Sequence, residues 1–176
     1  MQHNLNMKKL IKKIFTDLNQ TVELENLHRL KEGTLTIPKS EVLLFGQMSL
    51  MLNESASTIL DLIQTGDMDA KLRMDYFTKN KMLELLKANG LVYDDDSHLG
   101  WIPVNAKEID LFKFKNIAVK LIDAESTLVS KAIHAPQKNK QLIRQAIASG
   151  KFPGLVDRII ENNGKIDFFL EDNFES

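Results

Sequence analysis

The chain has 176 residues, 43% of them hydrophobic, enough for one sizeable core and somewhat short for two independent ones. Lys and Arg number 23 against 24 Asp and Glu, so a net charge of -1 gives no global attraction to nucleic acid or an anionic membrane. With no cysteine, disulfides, cysteine nucleophiles and thiolate zinc clusters are excluded, and an intracellular, disulfide-free protein is expected.

At the N-terminus, Leu5, Leu10, Ile11, Ile14, Phe15 and Leu18 recur at helical spacing, with Lys8, Lys9, Lys12 and Lys13 mostly on the remaining face. No small-residue cleavage site follows this run, and no apolar stretch approaches the roughly 18 to 20 residues of a membrane span. The reading is a soluble, cytoplasmic protein without a membrane partner. A second helix is expected over residues 22–31, with Leu24, Leu27 and Leu30 as its apolar positions and Gly33 as its stop. The pattern then changes. "EVLLFG", residues 41–46, suits a buried strand ended by glycine, and "QMSLMLN" can start a helix. Residues 53–66 read as loop around an ambiguous "TILDLI", and residues 68–72 as strand. "RMDYFTKNKMLELLKANG" is a helix with an Asn89-Gly90 stop, and "GLVYDDDSHLGWIPV" reads as strand, acidic turn, strand.

"IDLFKF" and "NIAVKLI" are two further strand candidates joined around Lys115 and Asn116. Beyond Asp123 the pattern is helical, with Asp123 or Ser126 as the cap, Pro136 and the 150–153 segment as breaks, and "EDNFES" as an acidic, frayed tail. The expected organisation is α+β: N-terminal helices over 1–33, a mixed-sheet core over 34–123, a helical region over 124–170 and a tail over 171–176. The sheet is expected to draw about four to five strands from residues 41–45, 67–72, 101–104, 109–114 and 117–122.

The chemistry centres on "TGDMDAKL", residues 65–72. On a strand, Asp67 and Asp69 project to one face while Met68 points to the other. Two carboxylates held side by side repel unless a cation lies between them, and Mg2+ suits oxygen ligands shared with substrate phosphates. "TGD" is also ordinary turn chemistry, so the pair alone is a weak signal.

A strand ending in glycine, "VLLFG", then "QMSLML", then "T-G-D-M-D" together resemble the nucleotidyltransferase-fold superfamily, nearest to bacterial nucleotidyltransferase-like proteins and AbiEii-type toxins. The resemblance covers roughly residues 40–145. It implies a nucleotidyltransferase-like mixed β-sheet core and magnesium-dependent transfer of a nucleoside monophosphate from a nucleoside triphosphate. The acceptor would be RNA, a protein or a small molecule, and a toxin-type role would bring an antitoxin partner protein. By the same resemblance, Gly46, Gln47 and Ser49 flank the phosphates, Asp67 and Asp69 are metal ligands and catalytic, and Lys131 in "TLVSKAI" approaches the triphosphate. The third carboxylate would be Asp110, with Glu108 as second choice and Asp94 as a remote one. Gln47 stands where a small residue is usual, Ile63 where arginine is common, and Gln141 near a usual aspartate. These departures make an inactive binding or regulatory module the alternative.

Other features read as structural. His3, His28, His98 and His134 have no metal-ligand spacing, and Trp101 suits packing with base stacking as the alternative. Lys138, Lys140, Arg144 and Lys151 suit a solvated helix face, the alternative being a surface that balances nucleotide phosphates or contacts RNA. A winged-helix DNA-binding reading of residues 81–104 would place Asp94, Asp95 and Asp96 at the wing tip, where DNA would repel them.

Overall fold

The computed structural model describes residues 2–170, with side chains from Asn6 onward; His3, Leu5 and the tail over 171–176 lie outside the described residues or side chains. The first finding is one continuous helix, α1 (Gln2–Lys31), where two helices were expected. No glycine or proline interrupts it. Its core stripe is Met7, Ile11, Ile14, Leu18 and Val22, all buried, at the spacing that keeps one face of a helix toward the core. Leu24, Leu27 and Leu30, expected as the second helix's apolar face, are instead 68%, 48% and 62% exposed. The inward positions there are Val22 and Asn26, and Asn26 Oδ1 accepts from the Ile37 amide at 2.7 Å. Gly33 adopts a left-handed φ of 69°. Thr34 N donates to Arg29 O at 2.8 Å and Gly33 N to Leu30 O at 3.2 Å, a glycine-based C-terminal cap.

The chain folds as mixed α and β structure around a small mixed sheet. β1 (Ser40–Leu44) is flanked by β3 (Ala70–Arg73), antiparallel, and by β6 (Ile117–Ile122), parallel; β5 (Glu108–Lys113) pairs antiparallel with β6 at the edge. The order is therefore β3-β1-β6-β5. Val42, Leu44, Ala70, Val119 and Leu121 are buried with Ile11, Ile14, Phe15 and Leu18 of α1 and with Met82 and Leu86 of α4 (Tyr76–Ala88). The opposite face carries ion pairs, Arg73–Glu41 at 2.6 Å, Lys120–Glu108 at 2.7 Å and Lys113–Asp110 at 2.7 Å. One face packed and one face charged is the pattern expected of a sheet covered on one side.

Between β1 and β3 lie α2 (Gly46–Leu52), α3 (Glu54–Ser57) and an extended segment containing "TILDLI". The aspartate strand is split into β2 (Asp67–Met68), which pairs in parallel with β4 (Val92–Tyr93), and β3, which pairs with β1. After β4 comes a 3-10 turn (Asp95–Leu99) capped by Asp94, and residues 101–104, expected as a strand, form none. Gly100 is pressed against the Phe45 ring, and Ser130 Oγ donates to Trp101 O at 2.9 Å, so this stretch packs on a helix rather than adding to the sheet. With β4 in a parallel pair and no hairpin after it, the wing of a winged helix has no counterpart.

The C-terminal helices α5 (Ala124–His134), α6 (Pro136–Ser149), α7 (Leu155–Glu161) and α8 (Asp167–Leu170) form a second core around Leu128, Val129, Ile143, Leu155, Ile159 and Phe169. Helix α2 serves both cores: Met48 and Met51 face the first, Leu50 the second. That shared helix fixes α5 and α6 beside the aspartate strand.

Candidate active site

Asp67 and Asp69 flank the fully buried Met68, as the two-residue period of a strand requires. Main-chain bonds fix this stretch from both sides. Val92 N donates to Gly66 O at 2.9 Å and Asp94 N to Met68 O at 3.3 Å, while Phe45 N donates to Asp69 O at 3.1 Å. Thr65 Oγ1 accepts from Asp67 N at 3.1 Å, the local turn contact that places the first carboxylate. Asp69 thus stands where the strand passes from its partner β4 to its partner β1.

Gly46 opens α2 with φ 64°. A Cβ built there would collide with Asp69 Oδ2 and lie 3.0 Å from its Cγ. The glycine is needed for two reasons, the left-handed backbone and the space the carboxylate occupies. Its expected service was to let a phosphate approach the backbone; the group actually seated against it is Asp69.

The other expected residues separate into those the fold gathers and those it does not. Lys131, on α5, lies within electrostatic reach of Asp69. Ser49 is fully buried, bonding to Gly46 O at 3.2 Å and to Thr127 Oγ1 at 3.0 Å. Its hydroxyl ties α2 to α5 and does not face open space. Gln47, standing where a small residue is usual, donates its amide Nε2 to Ile63 O at 2.9 Å.

Asp110 is not brought to the pair. It sits on β5, separated from β3 by β1 and β6, roughly 14 Å away at the usual strand spacing. There Lys113 holds its carboxyl below the ordinary carboxylate range through a hydrogen bond. Glu108, on the same edge strand, is taken up by Lys120. The carboxylate that does join the pair is Asp94, carried there by the parallel β2–β4 register, Met68 opposite Tyr93. Its Oδ1 accepts from Asp96 N at 2.9 Å.

Burial pushes the Asp69 carboxyl above its ordinary value; Asp94 raises it further, Lys131 opposes, and Asp67 and Lys138 add smaller opposite effects. Lys131 is pushed down, first by burial and then by Lys138, with Asp69 opposing. Each group is drawn toward its neutral form while facing an opposite charge. No ion pair joins Asp69 to Lys131 in the described residues.

Lys131 also lines a cavity of about 810 Å³. One wall is the extended segment containing Asp61, Ile63 and Thr65; the other is α6, which presents Lys138, Leu142, Gln145 and Ala148. These α6 positions recur at three- and four-residue spacing, so they share one helix face. Gln145 Oε1 accepts from Asp61 N at 3.0 Å and its Nε2 donates to Asp61 Oδ2 at 3.1 Å. The sequence reading missed this wall, treating Lys138 as solvated. The only signal was the periodicity of α6, which does not say what the face looks at.

As a cation site, the described residues hold no cluster of three acidic or histidine side chains fit to ligate a metal alone. Asp67 and Asp69 do fit the common mode for Mg2+, in which one or two carboxylates share the ion with substrate phosphates. No family model matches the chain, and no curated protein or solved structure matches it.

Proposed function

We propose that the chain is a nucleotidyltransferase-like protein that takes a magnesium-nucleoside triphosphate into the cleft between the 59–65 segment and α6, and transfers its nucleoside monophosphate to an acceptor. The observation that carries this reading is the relation of Lys131 to Asp69. An abandoned site would gain by letting the lysine neutralise the carboxylate directly, whereas here Lys131 lines an open cavity and makes no ion pair with Asp69, which lies within its electrostatic reach. The cavity's volume, about 810 Å³, lies within the range of small-ligand sites, roughly 300–1,000 Å³.

In this reading Asp67 and Asp69 hold the ion, and Lys131 with Lys138 balances phosphate charge. Bound magnesium would neutralise charge developing on the leaving phosphates. A bond forms from the acceptor oxygen to the α-phosphorus as the α–β phosphoanhydride bond breaks; pyrophosphate leaves and the acceptor's proton passes to solvent. Asp69, seated against Gly46 and fixed by its strand, contributes a carboxylate whose position costs nothing to organise at the moment of reaction.

The placement of Asp110 on the far edge favours a second reading, a nucleotide-binding or regulatory module without transfer. Incubation with each labelled nucleoside triphosphate and candidate RNA, protein and small hydroxyl acceptors, comparing wild type with Asp69→Asn, tests the first. Labelling by the wild type alone is expected, and equal labelling by both proteins refutes it. Calorimetric binding of the magnesium nucleotide without any labelling would select the second.

A further inference from the structure

Cationic and aliphatic side chains share the lining of the cleft. Lys138 stands about one helical turn before Leu142 on α6, with Lys131 within its electrostatic reach, and Arg144 adds positive charge two residues past Leu142. Ile63 from the 59–65 segment and Leu142 from α6 line the two walls. Ile63 is 82% exposed, while Leu142 is rooted in the second core. An exposed isoleucine on a cavity wall, with an aliphatic residue on the other wall, suits a flat apolar group between them. The segment bearing Ile63 is also held at two points: its carbonyl accepts from Gln47 Nε2 at 2.9 Å, and Asp61 is bonded twice to Gln145 on α6. Ile63 is therefore presented by backbone anchored to both α2 and α6.

We infer that Ile63 and Leu142 form the seat of the nucleobase, with the triphosphate directed toward Lys131 and Lys138. This rests on the reading of the cleft as a nucleotide site and adds to it the orientation of the ligand and the basis of base selection. Of the side-chain amides in the lining, Gln47 and Gln145 are committed to Ile63 O, Asp61 and Ile59 O, while Gln64 and Gln141, each next in sequence to a seat residue, make no side-chain hydrogen bond among the described residues. Contact area sets the preference for base size, so larger purines bind more tightly than pyrimidines.

Calorimetric titration with magnesium ATP and, separately, with magnesium tripolyphosphate, which has no base, tests this. In the wild type ATP is expected to bind more tightly than tripolyphosphate, and UTP more weakly than ATP, as contact area dictates. Ile63→Ala, at an exposed position where folding is unaffected, is expected to weaken ATP by roughly three- to tenfold through lost apolar contact and to leave tripolyphosphate unchanged. Ile63→Phe is expected to tighten ATP. If the wild type binds neither ligand, the nucleotide reading falls and the seat with it. If both bind but Ile63→Ala alters neither or weakens both equally, or UTP binds as tightly as ATP, the seat is refuted while the nucleotide site stands.

Discussion

Gly46→Ala perturbs the site through a single methyl group, and its cost divides into two parts that separate variants can isolate. At φ 64° any Cβ meets the left-handed penalty, about 1–2 kcal/mol. The methyl would also strike Asp69 Oδ2 and crowd its Cγ at 3.0 Å, forcing the carboxylate from its rotamer at a further cost of about 1 kcal/mol. Gly150, with the same φ of 64° and nothing within 4 Å of its added Cβ, is the control, because Gly150→Ala meets only the first part. In a domain of this size 1 kcal/mol corresponds to about 2–4 °C in melting temperature. Gly46→Ala should therefore melt about 2–4 °C below Gly150→Ala in thermal unfolding. Combining Gly46→Ala with Asp69→Ala removes the two nearest atoms and leaves Asp69 Cβ, 3.2 Å away. The excess cost should then largely vanish as a coupling energy between neighbours. Magnesium-ATP affinity should fall in Gly46→Ala and hold in Gly150→Ala. Equal melting of the two single variants, or an excess cost that survives Asp69→Ala, refutes the claim that this glycine exists to seat the carboxylate.

Asp69→Asn should raise the melting temperature at neutral pH. The folded-state carboxyl lies above its unfolded value, so its ionisation destabilises the fold as pH rises through the folded value, and the gain should disappear below about pH 4, where the residue is protonated in both states; a variant less stable than wild type at pH 7 contradicts this. Asp110→Asn, at the far edge of the sheet, should leave nucleotide labelling and magnesium-ATP binding unchanged, and a loss of either would return Asp110 to the site.

The features readable from the sequence are the local ones. Met68 between two aspartates has only one strand arrangement that buries the methionine, and Asp123, one of two local cap candidates with Ser126, caps α5 by accepting from Ser126 N. What escaped depends on pairing between distant segments. Asp110, between Ile109 and Leu111, has the local pattern of a strand carboxylate as plainly as Asp69 does, but β5 reaches the sheet only through β6, which places Asp110 at the far edge. Asp94, only a remote candidate in the sequence, reads there as one member of an acidic turn. It joins Asp69 because β4 lies parallel to β2, a register that nothing within "YDDDSH" encodes. Likewise Leu24, Leu27 and Leu30 establish an apolar stripe without establishing that anything covers it.

The unpaired Asp69 and Lys131 have a consequence for proton linkage. Burial raises one proton affinity and lowers the other, so in the ligand-free protein Asp69 retains its proton to higher pH than an ordinary aspartate, and Lys131 loses its own at lower pH than an ordinary lysine. A cation at the carboxylate favours its ionised form, and a phosphate near the ammonium favours its charged form. Binding of a magnesium nucleotide should therefore release a proton from Asp69 on the acid side and take one up at Lys131 on the alkaline side. By linkage, affinity rises with pH on the acid limb and falls on the alkaline limb. The nucleotide's own phosphate also titrates, so the quantity to compare is the difference between wild type and variant. Calorimetry in buffers of different ionisation enthalpy measures it: Asp69→Asn should lose the acid-side proton release selectively, and Lys131→Met the alkaline-side uptake. If each variant exchanges the same number of protons as the wild type at both ends of the range, the two groups do not meet the ligand, and their opposition is a feature of the fold alone.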